Sequence, residues 1–528
     1  MLETTPSFSR RYVALAIALG LAAAGALAAC ATQNSRTSES KAETAPAGAF
    51  DPQLVAAPAG GDTLTHLEPQ FFNTLYPPAA GFYPNGSVVN NITDRLLYQD
   101  PDTLELSPWI ATELPEINSD ATEYTFTIRT DVTYSDGSPL TAQNVVDNFD
   151  LFGRGDADRN LTVSEQIANY SHGEVLADNK VRFFFTAPSP GFAQATSSFN
   201  AGLVSDRTLE FDNEGFSPGN AVNVIGSGPF VITQEDLGTA LTLSAREDYH
   251  WAPPAASHQG RARLDHVRIV LAQEQSVRVG GLTSGQADVA LQIAAPEEPL
   301  LAERGIGIVA EGTKGVNNQL AFRFRHQLLS DQRVREAIIA AIDREEVLAT
   351  LFSESYPLAD SALARDALGH KAQPQSAYRF DPERARELFD AAGWRPGPDG
   401  ILEKDGQRME LTVNEALPQP RSREVITKIQ EQLRKVGVAL HLNPGDQATQ
   451  NADRLNQDKI QIVHTMVGRA DFDVIESQYH SQARNQLLNG DSTTETLGDE
   501  HLEELLEKVA STPDTAGARP PRPRYRIG

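Results

Sequence analysis

The chain of 528 residues has a single cysteine, Cys30. That excludes disulfides, cysteine-ligated zinc sites and a cysteine nucleophile. Its eleven histidines are scattered without an i,i+4 or H-x-H pair, so no direct protein cage for a metal and no cofactor is expected. Enzyme motifs are equally lacking: there is no H-E-x-x-H and no P-loop. A secreted hydrolase is the alternative from another class, and abundant carboxylates without a defined spacing lend it little. A basic surplus is missing too. The net charge of −26 argues against nucleic acid or an anionic membrane surface as partner and reads as a solvated acidic surface. Without disulfide staples, stability must come from size, and this length suffices for two or three hydrophobic cores.

What is present begins with Arg10 and Arg11, followed by an uncharged apolar run from Tyr12 to Ala29. The run is rich in Ala and Gly and stops at a cysteine, so it reads as an export signal rather than a permanent span. Leu27-Ala28-Ala29-Cys30 resembles a bacterial lipobox, in which cleavage precedes a lipid-modified cysteine. Ser9-Arg10-Arg11-Tyr12-Val13 is also similar to a twin-arginine motif, although ordinary secretion is the expectation. Residues 31–50 are Ser/Thr/Ala/Glu/Pro-rich and bury too little to fold, which makes them a flexible tether.

Beyond the tether, short strands alternate with punctuated helices. Tyr124, Phe126 and Ile128 alternate with polar residues at the period of a half-buried strand. Leu241 with Leu243, and Leu320 with Phe322 and Phe324, repeat the pattern. Asp381-Pro382-Glu383 starts a helix that carries Ala385, Leu388, Phe389 and Ala392 and stops at Gly393. Ile426, Ile429, Leu433 and Val436 share one face of a second helix, which ends at Gly437 and feeds a strand with Val438, Leu440 and Leu442. Strand–helix–strand order of this kind indicates α/β lobes.

Several segments resemble one family, the bacterial extracellular solute-binding proteins of family 5, in the family's own order. Pro108-Trp109-Ile110-Ala111-Thr112-Glu113 and the stretch EYTFTIRTDVTYSDGSPLTAQNVVDNF carry the most specific match. In that stretch Asp136-Gly137 makes a turn, and Thr141 or Ser138 caps the helix with Val145, Val146 and Phe149. Gly226-Ser227-Gly228-Pro229-Phe230, Arg246 to Trp251, Leu282 to Ala290, Asp331 to Asp343 and Phe380 to Trp394 follow. The resemblance implies an α/β fold of two lobes, the type II, cluster C-like periplasmic-binding-protein architecture, with an extra subdomain in the first lobe. Expected boundaries are 1–29 for a lipoprotein signal peptide, 30–50 for the tether, 51–310 and 311–510 for the lobes, and 511–528 for the tail.

The resemblance further implies a monomeric receptor that encloses a small solute, a peptide first of all, and delivers it to the permease subunits of an ABC importer. A metal chelate, an opine or a glycan is the alternative cargo on the same fold. Peptide-binding members anchor the ligand's α-amine with a carboxylate in an A-D-Y segment; Ala470-Asp471-Phe472-Asp473 is similar, which puts Asp471 on the amine with Asp473 as the substitute. The competing reading of Asp471 is a salt bridge with Arg469. Gln478, Tyr479 and His480 follow, and Tyr479 is expected to stack on or cap a ligand, unless the segment is a plain surface helix. Phe82-Tyr83-Pro84-Asn85-Gly86 precedes an expected helix from Ser87 to Tyr98; the family's corresponding loop reaches the cleft, which makes Tyr83 and Asn85 candidates beside a reading as simple turn chemistry.

The C-terminus departs from the family. Asp499 to Ala510 reads as an amphipathic helix, after which ARPPRPRYRIG is basic and Pro-rich where relatives return to the first lobe. A truncation or frameshift near Thr515 to Ala518 accounts for this, as does a natural disordered tail. The anchor gives the first testable expectation: Cys30→Ser releases the protein from the membrane into the periplasm or medium, read by fractionation and immunoblotting, and unchanged membrane association overturns lipidation at this residue.

Overall fold

The computed structural model describes residues 62–512 apart from 168, 417–418, 420, 472, 482 and 484–498. The expected signal peptide, Cys30, the tether and the tail beyond residue 512 lie outside the described residues. No helix among the described residues is long and apolar enough to cross a membrane.

The elements assemble into two α/β lobes, each with its own core. The first lobe rests on a five-stranded sheet in the order Val289–Ala290, Thr63–Glu68, His266–Leu271, Ala240–Ala245, Phe230–Asp236. Its first three strands are mutually parallel and the last two pair antiparallel. A second, antiparallel sheet of four strands, Glu116–Ile117, Glu123–Thr127, Lys180–Phe185 and Tyr170–Ala177, is inserted between them in the chain. Along Lys180–Phe185 the residues Val181, Phe183 and Phe185 are buried while their neighbours are half-buried, the alternation a one-faced sheet requires. Helix Ala142–Arg154 lies on this sheet and is capped by Thr141, whose Oγ1 accepts the Asn144 N–H at 3.1 Å. Phe149 of this helix packs edge-to-face on Phe192 and tilted at 50° on Phe183, and Tyr124, Phe126 and Phe183 in turn meet Phe192 edge-to-face.

The second lobe is a four-stranded sheet in the order Val316–Phe322, Ile462–Val467, Glu410–Val413, Ala439–Leu442. Its core joins Met409, Leu411 and Val413 to Ile426, Ile429 and Leu433 of helix Ser422–Arg434 and to Leu388 and Phe389 of helix Pro382–Ala391. Asp381 accepts the Arg384 N–H at 2.9 Å, and Gly393 and Gly437 adopt φ +90 and +87 past their helices, as their positions in the sequence predict.

One expectation is corrected. The helix read from Ser87 to Tyr98 spans Tyr83–Ile92, and Leu97–Gln99 is a strand. Pro84 sits in the first turn, where a missing N–H costs nothing, so Pro84-Asn85-Gly86 opens the helix instead of turning before it.

At the far end of that helix the family-like motifs meet. Asp94, wholly buried, accepts from Trp251 Nε1 at 2.8 Å and Tyr249 Oη at 3.0 Å, and its own N–H reaches Ser227 Oγ at 3.2 Å. Trp109 Nε1 donates to the Trp251 carbonyl at 3.1 Å, and Arg246 lies over the Trp251 ring while donating to the carbonyls of Thr133, Tyr134 and Ser227. Burial pushes the Asp94 carboxyl up to about 6, against the opposing pull of Trp251, Ser227 and Tyr249. Gly226 and Gly228 pass so close to the helix end that a Cβ would stand 1.9 Å from the Ile92 carbonyl oxygen and 2.5 Å from its carbon. Gly226→Ala is therefore expected to cost about 2–3 kcal/mol of unfolding free energy or more. Gly280→Ala, in helix Gln275–Thr283 with nothing within 4 Å, should instead stabilise by a few tenths to about 1 kcal/mol, both measured by urea denaturation.

Candidate functional site

The two lobes face each other across a cavity of about 150 Å³. One wall comes from the inserted sheet and the loops at its ends, with Glu165, Ile167, Phe185, Ser189 and Phe192; the other comes from the segment after strand Ile462–Val467, with Arg469, Asp473, Glu476 and Ser477. A larger groove of about 530 Å³ lies on the second lobe between Asp331, Arg333, Trp394 and Lys404, and holds none of the residues expected at the site.

Hydrogen-bonding capacity separates the five cleft candidates. Asp471 is buried and bound bidentately by Arg469, at 2.9 and 2.8 Å, while the same guanidinium donates to Ser477 Oγ at 2.9 Å. Asn85 is buried and wholly engaged within the first lobe: it accepts the Asn73 N–H at 2.9 Å and donates to Asn73 Oδ1 and the Ala79 carbonyl. The Tyr479 hydroxyl donates to Gln319 Oε1 at 2.8 Å, and its ring packs on the cluster of Val316, Leu363 and Val474. Asp473 and Tyr83 differ. Asp473 Oδ1 and Tyr83 Oη are shut off from solvent and have no hydrogen-bond partner.

Asp473 sits at the N-cap position of helix Val474–Tyr479, yet its side chain caps nothing. It turns towards the first lobe, where a Cβ on Gly191 would stand 2.2 Å from its Oδ2. Burial pushes the Asp473 carboxyl up to about 7, the Asp471 charge adds to the rise and Arg469 opposes it. Burial also raises the Glu476 carboxyl, with His480 and Arg469 opposing. His480 itself is held between Glu503 and Glu507 of helix Glu500–Ser511, at 3.1 and 3.4 Å, and Glu476 at 3.7 Å.

Tyr83 opens its helix beside Glu68, the last residue of the central parallel strand, whose buried carboxylate lies 3.7 Å from His66 Nε2. Burial pushes Glu68 up to about 7, opposed by the Ser87 hydroxyl and by Arg278. Arg278 ties the strand ends together by donating to the carbonyls of Ala272, Gln273 and Gln292. Sequence reasoning missed Glu68 and the whole wall from Phe185 to Phe192, whereas the Arg469 salt bridge is the competing reading it offered; the Pro188-Ser189-Pro190-Gly191 run was the one local sign of that wall.

A serine–histidine–asparagine row also occurs, with Ser422 Oγ 2.9 Å from His464 Nδ1 and Asn318 Oδ1 2.8 Å from Nε2. It is a brace, not a nucleophile. Ser422 is buried and accepts the Ala416 N–H at 2.9 Å, and burial pushes His464 down to about 4, too weak a base to activate a hydroxyl at neutral pH.

The contrast between the two aspartates is measurable without a ligand. Asp473 binds its proton more tightly folded than unfolded, so its contribution to stability is present below about pH 4 and lost as pH rises to about 7. Asp473→Asn should raise the melting temperature at pH 7–8 by a few degrees and remove that slope. Asp471→Asn leaves the Arg469 guanidinium unpaired in a buried site and should cost about 3–5 kcal/mol. Differential scanning calorimetry across pH checks both signs.

Comparison with known proteins agrees with this architecture. The family described as bacterial extracellular solute-binding proteins, family 5 middle, matches residues 105–486. Protein XP55 of Streptomyces lividans is 28% identical over 348 residues, 64% of this chain and 58% of XP55, so the match spans less than two thirds of that relative. The oligopeptide-binding protein AppA of Bacillus subtilis is 24% identical over 396 residues, 72% of this chain and 68% of AppA. Among solved structures, NikZ of Campylobacter jejuni in complex with Ni(L-His) superposes with a TM-score of 0.70 at 22% identity, covering 87% of this chain and 88% of NikZ. AppA in complex with a nonapeptide superposes with a TM-score of 0.69 at 18% identity, covering 87% of this chain and 89% of AppA. The two-lobed α/β fold and the matched sequence together place this chain among the bacterial extracellular solute-binding proteins of family 5.

Proposed function

We propose that this protein is the receptor of an ABC importer, capturing peptides between its lobes by hinge closure and handing them to the membrane permease without any covalent step. Residues 51–310 and 311–510 are the two closing lobes of a monomer, and lipidation at Cys30 keeps it at the outer face of the cytoplasmic membrane. The observation that carries the reading is Asp473: a carboxylate with a buried, unpaired oxygen, in a cavity with one wall from each lobe. A charge withdrawn from water demands an opposite charge, and a peptide's α-ammonium supplies one with three donors. Closing the lobes on it removes water from the pair and strengthens their attraction. Asp471, which the sequence favours, is already neutralised by Arg469, so we assign the amine contact to Asp473. Tyr83 and Glu68 at the strand ends offer further polar contacts in the region where ligands of parallel α/β sheets bind.

Thermal shift and titration calorimetry on the purified chain test this. Tripeptides with a free N-terminus should raise the melting point, since a ligand specific to the folded state at 100 times its Kd adds about 2.7 kcal/mol. N-acetylation of the peptide, or Asp473→Asn, should weaken binding at least tenfold. Shifts produced by Ni(L-His), an opine or a sugar but by no peptide would overturn the peptide reading.

A further inference from the structure

The cavity holds more negative charge than one ammonium can balance. Among its described lining residues Glu165, Asp473 and Glu476 are acidic and Arg469 is the one cation. Arg469 is already committed to Asp471 and Ser477, so it offers the ligand no net charge. His480 faces Glu476, but at 3.7 Å and shared with Glu503 and Glu507. An α-ammonium on Asp473 leaves Glu165 and Glu476 with only the shared His480 and the committed Arg469 for cations, and repulsion among like charges in a partly dry site is costly.

The positions of these carboxylates say where the second positive group belongs. Asp473 lies deep, with Oδ1 closed to solvent, whereas Glu165 is exposed at the rim. Between them run apolar surfaces from Ile167, Phe185 and Phe192, with the last two rings 4.6 Å apart. Long cationic side chains suit such a gradient, because the methylene stem lies on apolar surface while the charged head stays near water.

We infer that the ligand is a peptide whose first residue is lysine or arginine, its α-ammonium on Asp473 and its side-chain cation between Glu165 and Glu476. This rests on the receptor reading and narrows it to a substrate class. An acidic first residue is repelled by the same carboxylates, which gives the site selectivity by exclusion as well as attraction.

Titration calorimetry with Lys-Ala-Ala, Ala-Ala-Ala and Glu-Ala-Ala, on the full chain at 20 and 200 mM salt, tests it. The expected result is Lys-Ala-Ala tighter than Ala-Ala-Ala by tenfold or more at low salt, a smaller margin at high salt, and Glu-Ala-Ala weakest. Glu165→Gln, at an exposed position that leaves the fold intact, should shrink the lysine preference, and Glu165→Lys should abolish or invert it while Ala-Ala-Ala still binds. Equal affinities for the three peptides, with Asp473→Asn still abolishing binding, would overturn this inference and leave the receptor reading standing. Binding of none of them would remove both.

Discussion

A carboxylate buried at the end of one helix holds the first lobe in register. Asp94 has no water to lean on, so the indole of Trp251 and the phenol of Tyr249 must both point at it. That demand fixes the loop after strand Ala240–Ala245. The same loop carries Arg246, whose guanidinium gathers the carbonyls of Thr133, Tyr134 and Ser227. Two glycines then let the Gly226–Gly228 loop press against the helix end, where no side chain fits. The helix so clamped is the one whose opposite end presents Tyr83 to Glu68 at the edge of the parallel strands. Packing at one end of the helix thereby fixes the direction of a side chain at the other.

The second lobe handles charge differently. Arg469 and Asp471 satisfy each other almost completely, and the pair works as a fixed strut on the cleft wall. Its effect on the neighbour is the interesting part. Asp473 feels the negative member of the strut at short range, loses water to burial and gains no hydrogen bond in return. A paired and an unpaired carboxylate thus sit two residues apart, and their partners alone tell them apart.

Much of this architecture is legible in the sequence. The helix from Pro382 is announced by Asp381, its apolar spacing and Gly393, and Thr141 caps where its position predicts. Local chemistry decides those features, so local reading finds them. The helix at Tyr83 was misplaced because Pro-Asn-Gly has the composition of a turn; its conformation is settled by tertiary bonds from Asn85 to Asn73 and Ala79, which no local pattern encodes. The difference between Asp471 and Asp473 is hidden from the sequence for a related reason. Motif similarity points to Asp471, and the competing salt bridge was visible as Arg469, but which oxygen stays unpaired depends on side-chain directions. The wall of Phe185, Ser189 and Phe192 was out of reach altogether, because it meets Asp473 only when distant parts of the chain come together.

Gly191 shows how local that meeting is. Its φ of −75 and ψ of −8 suit any residue, so neither the fold of its own loop nor the helix after it requires glycine. The need arises solely from a carboxylate arriving from the other lobe. Side-chain size at this one position is therefore a wedge gauge for the cleft: each added carbon props the lobes further apart while each remains folded. A graded set of such wedges would hold the cleft ajar by fixed increments, and so measure how closely its two walls must approach before water is shut out from Asp473.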